Sequence, residues 1–242
     1  MNMKRLSLLL LICIVSILGL NARTFVLITG VSNYGNEQNN LGQSTKDAKR
    51  FKELMLTQTK DITLLTSSNV TRANVLEKLR AICNRAQAGD RVIFFYSGHG
   101  TPGAICGYDA NITYNDLMNV MSTSAAKEKM CFIDACFAGT ITGAATESSG
   151  TDDIRSKPGQ AIFISSRPTE ISRESPILGA GFFTQALLKG LRGKADKDAN
   201  KQITVLELFK YIYGDVVKRS KGAQHPQLIA PKDMYNAVVG KW

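Results

Sequence analysis

Short apolar runs alternate with amphipathic segments along most of the chain. Runs rich in β-forming residues end at turn residues, which is typical of buried strands; they lie at 24–29, 62–65, 92–96, 130–133 and 161–165. Apolar residues at helical spacing predict helices at 44–55, 71–86, 114–121, 182–191 and 204–218. A short last strand is predicted at 227–229. This alternation predicts a single three-layer α/β domain, with one open, mainly parallel sheet between two layers of helices.

The first 22 residues form a separate segment. Lys4 and Arg5 precede an apolar run at 6–20, and Ala22 is a small residue at the end of the segment. This order is typical of a secretory signal peptide, and the run is shorter than the ~20 residues of a membrane span. We expect cleavage near Ala22, export to a secreted or periplasmic location, membrane contact only during export, and a folded domain over 23–242.

Composition narrows the classes of function. The 242-residue chain is 44% hydrophobic and 21% charged, which excludes a disordered or low-complexity protein. Its net charge is +10, or +8 without the signal segment, but the basic residues are scattered and no nucleic-acid surface is predicted. Five cysteines and two histidines argue against a disulfide-dense miniprotein and a multi-histidine metal site, and no metal site is predicted.

Two predicted strands end in reactive residues. His99 follows the strand at 92–96, and Cys136 follows the strand at 130–133. Ligands of open α/β sheets bind beyond the carboxyl ends of the strands, and parallel neighbours would place these two residues side by side. A thiol and an imidazole in that position form a nucleophile–base pair. Gly98 and Gly100 flank His99, which would let a substrate backbone approach closely and leave N–H groups free to bind an oxyanion.

These motifs resemble those of the caspase and metacaspase cysteine peptidases. The resemblance rests on YSGHG at 96–100 and DACFAG at 134–139, and it extends to the helix entries at 47–48 and 181–184. It implies the caspase–hemoglobinase fold, with a six-stranded, mainly parallel sheet. It also implies hydrolysis of protein or peptide substrates through an acyl-enzyme on Cys136, with His99 as general acid and base. By the same resemblance, the backbone N–H groups of Gly100 and Cys136 hold the oxyanion.

The predicted specificity pocket resembles that of metacaspases more than that of caspases. Caspases hold an acidic P1 residue (the residue before the cleaved bond) with an Arg shortly before the first helix and a Gln two residues before the Cys. This chain has no Arg at 41–47 and has Asp134 two residues before Cys136. The resemblance implies an S1 pocket of Asp47, Ser97 and Asp134 that accepts Arg or Lys. Asp47 is also compatible with an ordinary acidic residue in a first helical turn.

A polar segment at 140–159 is predicted to be a long mobile loop, in the place where relatives are often cut during activation. It contains Arg155 and Lys157, and Lys157 precedes Pro158, which makes it a poor site for most peptidases. We therefore predict a zymogen that cleaves itself after Arg155.

Calcium is a separate question. The segment 196–207 has oxygen side chains at positions 1, 3, 5, 9 and 12 of an EF-hand-like loop, but Lys201 stands where an EF-hand needs Gly. The favoured interpretation is a polar turn in which Thr204 caps the last long helix. No cofactor is required for the predicted chemistry. The resemblance to metacaspases nevertheless leaves calcium stimulation open, with Asp152 and Asp153 as candidate contributors.

Alternative functions remain. A non-catalytic caspase-like binding or regulatory module would normally lack the Cys or the His, and both are present. A nucleotide-binding protein is disfavoured because no glycine-rich phosphate loop follows the first strand. We expect Cys131 to lie in the core and Cys106 to be packed near the cleft. The sequence leaves open the oligomeric state, the physiological substrate and the redox state of Cys83, Cys106 and Cys131.

Overall fold

The computed structural model describes residues 22–135, 159–167, 174–175 and 180–242, and its elements largely match the predicted ones. The strands are β1 Thr24–Gly30, β2 Ile62–Thr66, β3 Arg91–Ser97, β4 Gly100–Thr101, β5 Ala104–Cys106, β6 Asn111–Thr113, β7 Glu128–Asp134, β8 Gln160–Ile164, β9 Glu174–Ser175, β10 Ala180–Gly181, β11 Gln202–Thr204, β12 Gln227–Ile229 and β13 Val238–Lys241. The helices are α1 Ser44–Met55, α2 Arg72–Arg85, α3 Tyr114–Ser122, α4 Phe182–Lys189 and α5 Val205–Arg219.

Six strands form the main sheet in the order β12-β8-β7-β3-β1-β2. All neighbours pair in parallel except β12, which runs antiparallel to β8. Ser97 at the end of β3 pairs with Asp134 at the end of β7, so these strands end level with each other. The predicted six-stranded, mainly parallel sheet is confirmed.

Burial on both faces explains why the strands are apolar throughout. Along β1, Phe25 and Leu27 join a core cluster that includes residues of α2 and α3. Val26 and Ile28 alternate with them and join a second cluster that includes residues of α1, α4 and α5. Because consecutive strand residues point to opposite faces, a sheet covered on both sides needs apolar residues at every position.

The helix starts follow local capping chemistry. Thr204 caps α5 in a reciprocal capping box with Glu207, which confirms the predicted role of Thr204. The position of Ser44 at the start of the helical pattern also suggests it as the cap of α1, but Ser44 is the first helical residue, and the preceding Gln43 makes no capping hydrogen bond with its side chain.

The sequence pattern missed three small sheets. After His99 the chain forms an antiparallel sheet of β4, β5 and β6, β9 pairs with β10, and β11 pairs with β13. Strands of two to four residues are too short to show a period in the sequence. The helix predicted at 182–191 is α4, which ends at Lys189 and continues into a π-type segment, Gly190–Lys194.

Among the described residues, no helix is long and apolar enough to cross a membrane. The predicted signal peptide, except Ala22, lies outside the described residues. The predicted loop at 140–159 also lies outside them, except Gly159.

Candidate active site

The carboxyl ends of β3 and β7 carry the predicted reactive residues. The N–H of Gly98 donates to the carbonyl oxygen of Asp134 at 3.1 Å, so the first residue after β3 still lies beside the end of β7. His99 is the next residue after Gly98. Cys136, two residues after Asp134, lies outside the described residues.

The His99 imidazole is held by a backbone carbonyl. Its Nε2 atom lies 2.8 Å from the carbonyl oxygen of Asn39, at the end of a short 3-10 helix, Glu37–Asn39, in the loop after β1. A carbonyl oxygen only accepts hydrogen bonds, so Nε2 carries the proton in this contact. The neutral ring then presents Nδ1 as an acceptor, which is the state that a general base needs.

Two tyrosines contact the backbone of His99. Its N–H donates to the hydroxyl of Tyr34 at 2.7 Å, and its carbonyl oxygen accepts from the hydroxyl of Tyr96 at 2.6 Å. Burial raises the pKa of Tyr96 well above its usual range, so this hydroxyl stays protonated. A Cβ atom on Gly98 would lie 2.3 Å from the Tyr96 hydroxyl. Glycine is therefore needed here because the tyrosines pack against it, and not because a substrate must approach.

The predicted specificity carboxylates meet at the start of α4. Asp47 in the first turn of α1 is 1% exposed, and Asp134 is 7% exposed. The N–H of Gly181 donates to Asp47 Oδ2 at 3.3 Å, and a Cβ atom on Gly181 would lie 2.5 Å from Asp134 Oδ2. Thr184 donates to the same Asp134 oxygen from its N–H at 3.2 Å and from its hydroxyl at 2.7 Å.

The third predicted S1 residue, Ser97, is buried opposite Asp134 on β3. The fold therefore brings Asp47 and Asp134 to one place, with Ser97 on the adjacent strand. In the sequence, Gly181 and Thr184 mark only the entry of a helix, and their contacts with the carboxylates come from the fold. Asn39 could not have been found from the sequence, since it acts through its backbone carbonyl.

The three cysteines among the described residues differ in their surroundings. Cys83 and Cys131 are buried free thiols; burial raises the pKa of Cys83 to about 11 and that of Cys131 further, which makes both poor nucleophiles near neutral pH. The core position predicted for Cys131 is confirmed. Cys106 is partly exposed, and its N–H donates to the carbonyl oxygen of His99 at 2.9 Å.

The acidic segment at 196–207 runs from a tight loop through β11 into the first turn of α5. Ligand oxygens of Asp196, Asp198 and Glu207 lie within 4.8 Å of one another. Lys201 has a φ of 62°, so it adopts the left-handed conformation that Gly favours at that position of an EF-hand. Two of these carboxylates accept hydrogen bonds from backbone N–H groups. Lys201 donates to Asp196 at 2.8 Å, and Thr204 donates to Glu207 at 3.0 Å.

Comparisons with known proteins agree with this fold. The family model for the caspase domain matches residues 23–235. A crystal structure of protein GSU0716 from Geobacter sulfurreducens superposes with a TM-score of 0.64 at 15% identity, covering 88% of this chain and 97% of that chain. Caspase-1 from Spodoptera frugiperda superposes with a TM-score of 0.64 at 16% identity, covering 91% and 90%. A search of curated protein sequences found no significant match.

Proposed function

The chain belongs to the caspase-domain family, and from that premise we propose that it is a cysteine endopeptidase that cleaves after Arg or Lys. Cys136 is the nucleophile and His99 is the general acid and base. The positions of Asp47 and Asp134, two buried carboxylates that both contact Gly181, carry the proposed specificity. The held imidazole of His99 supports the proposed chemistry.

In the proposed reaction, Nδ1 of His99 takes the proton from the Cys136 thiol. The thiolate attacks the carbonyl carbon of the cleaved bond, and the N–H groups of Gly100 and Cys136 stabilise the oxyanion. The imidazolium then gives its proton to the leaving amine, which leaves an acyl group on the cysteine. Water, deprotonated by His99, releases the acyl group and restores the thiol.

The pocket chemistry favours a basic P1 side chain. Two like-charged carboxylates in a poorly solvated place repel each other. Arg50, which is partly exposed and lies 3.6 Å from Asp47, offsets this repulsion only in part, and an Arg or Lys of the substrate between the carboxylates relieves the rest. An acidic P1 residue would add a third negative charge, so the same pocket rejects the substrates of caspases. Ser97 would accept or donate a hydrogen bond at the wall formed by β3.

Fluorogenic peptides that differ only at P1 test this proposal. We expect turnover with Arg or Lys at P1, turnover at least 100-fold slower with Asp, and loss of all turnover in Cys136→Ala. Cys83→Ala is the matched control, since it removes a buried thiol of α2 and leaves the sheet edge unchanged. Faster cleavage after Asp would contradict the specificity, and turnover by Cys136→Ala would contradict the nucleophile. A folded wild-type protein that cleaves no peptide would favour the binding or regulatory module.

Self-processing has a test of its own. The proposed zymogen cleaves itself after Arg155, so intact-mass analysis should show that Arg155→Gln stays uncut while Lys157→Gln is processed. Cys136→Ala should stay uncut alone and be cut when active protein is added. An active protein that stays intact would contradict the zymogen proposal.

Export and calcium stimulation stay predictions. Amino-terminal sequencing of protein from the producing cells should find a new terminus near residue 23, in an exported fraction. The proposed chemistry needs no cofactor, so activity should persist in EDTA; a rise on adding calcium would identify stimulation rather than a requirement.

A further inference from the structure

We propose that Tyr34 is a positioning residue for His99, holding the imidazole in the orientation and tautomer that a general base requires. This inference rests on the proposed peptidase function and names a residue that the Cys–His motifs do not include. Tyr34 lies in the loop between β1 and α1 and is partly buried against the core.

The backbone N–H and the backbone carbonyl oxygen of His99 each form a hydrogen bond with a tyrosine hydroxyl. The His99 N–H donates to Tyr34, whose hydroxyl lies 3.3 Å from that of Tyr96. Tyr96 lies 2.6 Å from the carbonyl oxygen of His99 and 2.8 Å from that of Cys106. Carbonyl oxygens only accept, so the Tyr96 proton points to them, and the proton between the two hydroxyls belongs to Tyr34. The chain of hydrogen bonds therefore begins and ends on the backbone of His99.

The Tyr34 ring also limits the movement of the imidazole. The two ring centroids are 4.9 Å apart, with the planes tilted by 40°. A Cβ atom on Gly98 would lie 2.7 Å from the Tyr34 hydroxyl, so the glycine beside His99 is what permits this close approach. Tyr34 thus contacts the histidine at both its backbone and its ring.

Tyr34 is coupled to the second contact that holds the ring. The N–H of Tyr34 donates to the side chain of Asn40 at 3.0 Å, next to Asn39, whose carbonyl oxygen accepts from Nε2 of His99. The loop is closed at its ends by a 2.8 Å bond from the N–H of Leu41 to the carbonyl oxygen of Ser32. One closed loop therefore supplies both the backbone contact and the ring contact, and loosening the first should loosen the second.

The test uses Tyr34→Phe, which keeps the ring and removes the hydroxyl, and Tyr34→Leu, which removes both. Tyr235→Phe, in the segment before β13, is the matched control. With peptides carrying a P1 Arg, we expect kcat to fall about tenfold in Tyr34→Phe and further in Tyr34→Leu, with KM unchanged, because a displaced base slows the chemical step and leaves substrate binding intact. Tyr235→Phe should match the wild type.

The chain has two histidines, so the imidazole can be observed directly. Spectra of protein with ¹⁵N-labelled histidine, recorded on the Cys136→Ala background, report the tautomer of each ring. We expect His99 to be protonated at Nε2 in the parent and to be a mixture of the Nε2 and Nδ1 tautomers in Tyr34→Phe. His225 should be unchanged and serves as the internal reference. A lower melting temperature with kcat and tautomer unchanged would show a purely structural role and overturn the proposal.

The spectra also separate this inference from the proposed function. A tautomer shift in Tyr34→Phe would support the positioning role even if the wild type cleaved no peptide, in which case the proposed function fails. An unchanged tautomer together with a normal kcat in Tyr34→Phe would overturn the positioning role and leave the peptidase assignment in place.

Discussion

The two edges of the main sheet place their charged groups differently. At the amino-terminal edge, both oxygens of Asp90 accept backbone N–H groups at 2.8 Å, from Arg23 and Gln87. Arg91 and Glu128, at the starts of β3 and β7, form an ion pair at 2.8 Å. Each acidic group here meets a donor or a positive charge, which is the arrangement expected of groups that stabilise the fold.

The carboxyl-terminal edge also gives its acidic groups partners, since Thr184 donates to Asp134 and Arg50 lies 3.6 Å from Asp47, but it brings two like charges together. Asp47 and Asp134 both contact Gly181, and His99 lies two residues beyond the end of β3, the strand next to that of Asp134. Clustering two buried carboxylates costs stability, and folds retain such sites where a ligand of opposite charge relieves the cost. Substitutions at this edge should therefore change activity, and those at the amino-terminal edge should change stability.

The largest effect is expected from Asp134→Asn. Asn keeps an oxygen for Thr184 and loses the negative charge, so kcat/KM for P1 Arg peptides should fall about 100-fold, or ~2.7 kcal/mol. The variant should cleave peptides with citrulline, the neutral analogue of Arg, at nearly the rate at which the wild type cleaves the same peptides. An equal loss of kcat/KM with Arg and citrulline peptides would mean that Asp134 supports the structure and does not recognise the positive charge of the P1 side chain.

Asp90→Ala tests the opposite edge. Two backbone N–H groups lose their acceptor, so the free energy of unfolding should fall by about 2 kcal/mol in urea titrations, with kcat/KM per folded molecule unchanged. Asp90→Asn, which keeps one acceptor, should lose about half as much. A fall in kcat/KM with stability intact would break the distinction between the two edges.

Gly181→Ala should reduce activity by a smaller factor. Gly181 has a φ of −59°, which Ala adopts freely, so the effect comes from the added Cβ atom 2.5 Å from Asp134 Oδ2. We expect KM for P1 Arg peptides to rise about tenfold as the carboxylate is displaced. Gly42→Ala is the control, since nothing lies within 4 Å of its added Cβ atom. Equal kinetics in both variants would place the S1 pocket elsewhere.

The sequence could predict those parts of the site that depend on strand order. Five apolar runs define strands, and their alternation with helices predicts that they pair in parallel. That Ser97 and Asp134 share a pocket was implied only by the resemblance to metacaspases, and the register of β3 and β7 brings the two residues level. The link from Asp134 to Thr184 spans 50 residues and depends on where α4 packs, which no local pattern encodes. Asn39 acts through a backbone carbonyl, and the hydroxyl of Tyr34 meets His99 only because the loop closes. Contacts of these kinds appear only once the chain is folded.

The smallest effect is expected at Asp61, just before β2. Arg23 and Arg85 each donate to its carboxylate at 2.9 Å. The hydrogen bond from Arg23, together with that from Arg85, outweighs burial and lowers the pKa of Asp61. A carboxyl group whose pKa is lower in the folded protein stabilises the fold above its unfolded pKa, near 3.9, and this stabilisation is lost as the pH falls through the folded value.

Asp61→Asn should therefore cost less than about 1 kcal/mol at pH 7, because the pair is partly exposed, and the cost should shrink below pH 4 and in 1 M salt. Urea titrations of both proteins at pH 7 and pH 3 measure this difference, with Glu77→Gln, whose partner Lys78 is an exposed neighbour, as the control. A cost that persists unchanged at pH 3 would show that Asp61 acts through hydrogen bonding that Asn cannot reproduce and not through its charge. In either case kcat/KM should not change, because Asp61 lies at the amino-terminal edge of the sheet, far from the proposed active site at the carboxyl-terminal edge.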